Sequence, residues 1–228
     1  MKKCDREKIY NKIFRFIIKH KLNIHPTPIE DVCKILNAKL VPLSYILKNS
    51  NLKEDNIFSI WGNKDGVINI CKLSNGKRIY KISYNDSLSY QRIRFTIMEE
   101  CSHIILGHTE DPSFNIYNQS YNENLYKQYD EEARMCAGIL LFSPKFYYTF
   151  KSSLHCTIIS DFCNISKKCA NVRMSVYDKF KDEIMANKYY EYLPVPKFNL
   201  KEISKIGHTS YFLFNFNKSN TNNAELLF

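Results

Sequence analysis

The stretch FTIMEECSHIILGH, residues Phe95–His108, decides how the rest of the chain is read. Together with Ile93 just upstream, Ile97, Cys101, Ile104 and Ile105 step along one face at helical spacing, and Gly107 supplies a stop. On that helix Glu99 and His103 stand four residues apart, the spacing that puts two side chains on one face and lets them close on one ion. Glu100 sits beside the first of them.

The pattern is therefore E-E-x-x-H. In the metal-binding pattern H-E-x-x-H the first and last positions are ligands and the Glu between them is a general base. Here the first ligand position is a carboxylate, which zinc also accepts. A third ligand has to come from elsewhere, and the run DEEARMCAGILLF (130–142) offers Asp130, Glu131 and Glu132. On a helical wheel, Ala133, Cys136, Ala137, Leu140 and Leu141 define a buried arc. Asp130 lies roughly 60° from its centre, Glu132 roughly 100° and Glu131 roughly 160°. Asp130 is best placed to point inward, Glu132 second, and Glu131 faces water.

Outward from these two helices the chain changes period. DGVINICKL and KRIYKISYN, punctuated by Asp65-Gly66 and Asn75-Gly76, are hairpin signals. FSIWG (58–62) reads as part of the same small antiparallel sheet, a further strand is expected near Lys39–Pro42, and residues 48–56 read as an exposed loop. Ile9, Ile13, Phe16 and Ile17 mark an amphipathic opening helix. Residues 109–128 read as a long loop, and His108, after the helix stop, either caps the site or, the favoured reading, is exposed. Residues 157–180 have the rhythm of a helix-turn-helix carrying Lys167, Lys168 and Arg173, a shape that can dock on DNA but is also an ordinary helical hairpin. Direct nucleic-acid binding is not the favoured reading.

Composition bounds the class. The chain has 228 residues, 44% hydrophobic, enough for one domain with an appendage and incompatible with wholesale disorder. Residues 1–150 are expected to form the main domain, 151–204 a helical extension and 205–228, with its YFLFNF cluster, a flexible tail. Of the formal charge of +10, residues 99–143 carry 2 basic against 8 acidic side chains, an acidic middle suited to a cation. Eight scattered cysteines without a CxxC pair point to free thiols and a cytoplasmic setting. No 18-residue apolar run is present, so no membrane partner is expected.

RIRFTIMEECSHIILGH followed by DEEARMCAGILLFSP resembles the ImmA/IrrE family of metallo-endopeptidases, strongest over residues 92–144. The resemblance implies an α+β, zincin-like fold and intracellular cleavage of a regulatory protein, typically a helix-turn-helix repressor from a mobile element or stress operon. It implies Glu99, His103 and Asp130 as ligands of Zn2+ or another divalent metal, with Glu100 as the catalytic base. The chain departs from the family pattern where Glu99 replaces His, Asp130 replaces Glu and Arg134 replaces Asn, and Pro144 falls one residue late. Two anionic ligands would leave a metal less electrophilic. The alternative implied by these departures is a family member that binds and sequesters such a repressor without cutting it.

Overall fold

The computed structural model describes residues 3–23, 26–72, 74–112, 114 and 123–195. Helix α1 (Lys3–Lys19) buries Ile9, Tyr10, Ile13, Phe14 and Ile17 on one stripe, against the two site helices. It is followed by α2 (Ile29–Ile35), β1 (Ala38–Pro42), α3 (Leu43–Lys48) and α4 (Glu54–Trp61). Strands β2 (Gly66–Lys72) and β3 (Arg78–Tyr84) then lead into α5 (Tyr90–Leu106) and α6 (Glu123–Leu141). Four shorter helices close the described chain: α7 (Pro144–Phe150), α8 (Cys156–Cys163), α9 (Lys167–Lys179) and α10 (Lys181–Met185). The fold is α+β, mostly helical.

The sheet differs from its expectation. It has three strands in the order β1-β3-β2, and β2 pairs antiparallel with β3 as the hairpin signals predict. β1 pairs parallel with β3, Ala38 opposite Tyr80 through Pro42 opposite Tyr84, so the sheet is mixed rather than antiparallel. A parallel pair needs a long crossover, and α3, α4 and β2 provide it. FSIWG is correspondingly not a strand. Phe58–Trp61 close α4, whose first turn carries Glu54 and Asp55 and which ends at Gly62 in the left-handed region (φ 72°). Ile57 and Trp61, four apart, bury against Leu43 and Val67. A run of four residues, one of them Ser59, is too short for its period to separate strand from helix.

α5 ends where the sequence places the stop, with Gly107 at φ 79°. α6 starts earlier than its apolar arc suggests, so part of the expected 109–128 loop is helix, and residues 115–122 lie outside the description. α8 and α9 form the expected helix pair, joined through Asn164 (φ 52°) and capped by Ser166, whose Oγ accepts the Cys169 N–H at 3.1 Å. Of the three basic residues singled out there, Lys167 and Lys168 are exposed. Arg173 lies over Gly138 of α6, so close that a Cβ at 138 would meet its Cδ at 2.5 Å. α10 ties back to α1 through Arg6, which donates to both carboxylate oxygens of Glu183 at 3.0 and 2.7 Å. The unit containing all described residues ends at Pro196, and the expected tail 205–228 lies outside them. No helix among the described residues is long and apolar enough to cross a membrane.

Gly66 is where sheet and site helix meet. A Cβ there would stand 2.6 Å from the Ser83 carbonyl oxygen and 2.9 Å from Thr96 Cγ2 of α5. Gly66→Ala is therefore expected to lower unfolding stability by about 1–3 kcal/mol, because backbone has to move to admit the methyl group. Urea unfolding of both proteins reads this, and equal midpoints would mean that β2 and α5 are not in close contact.

Candidate functional site

A cavity of about 650 Å³ lies between β2, α5 and α6. Its walls include Glu99, Glu100, His103 and Asp130, so the four residues singled out from sequence share one cleft. The α5 members follow from helical spacing. Asp130 comes from α6, which packs along α5.

The opposite wall is an edge strand. Asn85 N–H donates to the Asp65 carbonyl at 2.8 Å, which fixes the alternation of the β2–β3 ladder. Positions 66, 68 and 70 accordingly turn their N–H and C=O groups away from β3. Asn63 takes those of Gly66, its Oδ1 accepting and its Nδ2 donating, both at 3.0 Å. The Ile68 N–H lies on the Glu100 side and favours the charged form of its carboxyl. Ile70, the next such position, faces the cavity.

Glu99 is held differently. Arg134 Nε forms an ion pair with its Oε1 at 2.9 Å, and Arg134 Nη2 donates to Asp130 Oδ2 at 3.5 Å, one helical turn back on α6. Glu99 and Arg134, two of the positions that depart from the resembled pattern, are thus the two halves of one ion pair. Asp130 Oδ1 is 3.9 Å from His103 Nε2.

His103 leads to residues that sequence reading missed. His108, expected on the surface, is buried: the left-handed Gly107 turns the chain back and lays the second imidazole beside the first. Their Nδ1 atoms are 3.0 Å apart, and His108 Nε2 is 3.0 Å from Glu132 Oε2. Tyr129 stacks on His108 with ring centroids 4.2 Å apart and donates its hydroxyl to Asp111. Phe114 packs against His103 at 5.0 Å. The signals available for these residues were a histidine directly after a helix-stopping glycine and the inward wheel position of Glu132. Neither names a partner.

Burial dominates the electrostatics. It pushes Glu100 up to about 8, reinforced by the neighbouring charges of Glu99 and Asp130 and opposed by the Ile68 N–H. It lifts Glu99 to about 7 against the pull of Arg134, and raises Asp130 as well. His103 falls to about 3 through burial, helped by His108 and Arg134. His108 is lowered by burial despite Glu132.

A tetrahedral zinc holds oxygen and nitrogen ligands about 2.0–2.2 Å away, which puts two of them roughly 3.3 Å from each other. The His103–Asp130 separation is wider, and Glu99 is engaged by a guanidinium that cannot be deprotonated. Among the described residues no three His, Cys, Asp or Glu side chains converge to hold a metal. This arrangement does not fit the implied zinc, because Arg134 holds two of its three carboxylate and imidazole ligands. No family model, curated protein or solved structure matches the chain, so a functional reading rests on these residues themselves.

Glu99 and Glu100 both titrate higher folded than unfolded, so the folded state binds protons more tightly over that interval. Their contribution to stability is full below about 4.5 and is lost as the pH rises through about 7 to 8. Urea unfolding at pH values on either side of this window is expected to show a decline toward the alkaline side that Glu100→Gln reduces. A decline of the same size in the variant would mean that Glu100 ionises freely.

Proposed function

We propose that the chain is a catalytically degenerate relative of the ImmA/IrrE endopeptidases, one that captures a segment of a helix-turn-helix repressor in this cleft without cutting it. The observation that carries the reading is the Arg134 ion pair with Glu99, extended to Asp130. Hydrolysis in the zincin-like manner needs a dication on those side chains and a deprotonated Glu100. The guanidinium supplies the positive charge instead. Burial pushes Glu100 up to about 8 with no dication beside it, which favours its protonated form at neutral pH. The hydrolytic alternative, a zinc endopeptidase with ligands Glu99, His103 and Asp130, requires Arg134 to leave both carboxylates.

What the cleft retains is a wall for binding. An extended segment can add to an outward-facing strand edge by main-chain hydrogen bonds, while side-chain pockets give specificity. Ile68 C=O and the N–H and C=O of Ile70 are the groups on β2 that fit this use, across from Phe114 and Tyr126.

The test mixes the full chain, with and without added zinc, with purified helix-turn-helix repressors, and reads complex formation by size exclusion and repressor length by gel. A complex containing intact repressor is expected, formed equally by Glu100→Gln. Ile70→Pro, which removes one edge donor, should weaken it by about tenfold. Repressor fragments made by the wild type and absent with Glu100→Gln would overturn the reading in favour of the peptidase, since removing a general base costs about 10²–10⁴ in rate.

A further inference from the structure

The two histidines and Glu132 form a directional chain of hydrogen bonds. Glu132 accepts at both oxygens: Gln128 Nε2 donates to Oε1 at 2.8 Å, and His108 Nε2 lies 3.0 Å from Oε2. A carboxylate has no proton to give, so His108 carries its proton on Nε2 and offers Nδ1 as an acceptor. The facing atom is His103 Nδ1, at 3.0 Å. Two ring nitrogens at that distance need one proton between them, and His103 is the ring left to supply it. Its Nε2 is then a bare lone pair on the cavity side.

We propose that Glu132 and His108 are positioning residues that lock His103 in its Nδ1–H tautomer, fixing Nε2 as a hydrogen-bond acceptor for an N–H or O–H group entering the cleft.

The reversed chain is unfavourable at the Glu132 end and gains no hydrogen bond at the other. It would set the His108 Nε2 lone pair against the Glu132 carboxylate at 3.0 Å. At the other end it would direct a His103 Nε2–H toward Asp130 Oδ1 at 3.9 Å, too far for a hydrogen bond. The rings have little freedom to escape this choice, with His108 stacked on Tyr129 and His103 packed on Phe114. Both rings are buried, which disfavours a charge on either. The recognised ligand group is a hydrogen-bond donor, such as a main-chain amide or a hydroxyl of a bound segment. An approaching carbonyl or carboxylate oxygen would meet lone pair with lone pair.

The tautomer is a property of the free chain, so it can be read whether or not the capture reading holds. Long-range proton–nitrogen correlation spectra of the full, ¹⁵N-labelled protein at neutral pH distinguish the two forms directly. His103 is expected to show a pyrrole-type Nδ1 and a pyridine-type Nε2, and His108 the reverse. In Glu132→Ala the terminal acceptor is gone, and the His103 nitrogens should move toward the averaged values of two exchanging tautomers. A wild-type His103 protonated on Nε2 would overturn the proposal. So would a folded Glu132→Ala protein whose His103 signals have not moved.

Discussion

Two adjacent glutamates on one helical turn, with an aspartate from the facing helix, must share a partly closed cleft, and their mutual repulsion is what the surrounding structure has to manage. Desolvation raises the pKa of all three. Arg134 relieves two of them, reaching across from α6 to Glu99 while staying near Asp130 on its own helix. Glu100 gets no guanidinium. Burial and its acidic neighbours favour its protonated form, opposed by the main-chain N–H of Ile68. The site is therefore balanced internally, by a fixed side-chain cation and a retained proton.

The supporting elements matter because that balance depends on close approach. β2 reaches α5 because Gly66 has no side chain to keep Ser83 and Thr96 away. His108 reaches His103 because Gly107 takes a left-handed turn directly after the helix. α6 lies along α5 on a face of small and apolar residues, Ala133, Cys136 and Ala137, which brings Asp130, Glu132 and Arg134 to the cleft from one helix. Glu132 then orders the imidazoles while Arg134 orders the carboxylates. The two networks meet where Asp130 approaches His103.

Much of this was legible in the sequence where spacing determines geometry. Glu99, Glu100 and His103 share a cleft because the 3.6-residue period puts them there, and Asp130 joins them as its wheel position indicates. The hairpin followed from its Asn75-Gly76 signal, while Asp65-Gly66 stands at the start of β2. What was not legible depended on pairing between distant segments. Nothing local to KLVP shows that β1 runs parallel to β3, and the run around Trp61 is too short to reveal its helical period. Arg134 read as a deviation from a motif, and Glu99 as another. Only their 2.9 Å separation shows the two to be partners. His108 looked exposed because the turn that buries it is a property of the residue before it.

The central claim is that Arg134 stands in for a divalent cation on Glu99 and Asp130. Calorimetric titration of zinc into the full chain tests it most directly, with the double variant Glu99→His/Arg134→Asn titrated alongside. The account predicts no stoichiometric site in the wild type and a one-to-one site in the double variant, where the guanidinium is gone and a second imidazole faces His103. Stoichiometric zinc binding by the wild type, lost in Glu99→Gln, would contradict it.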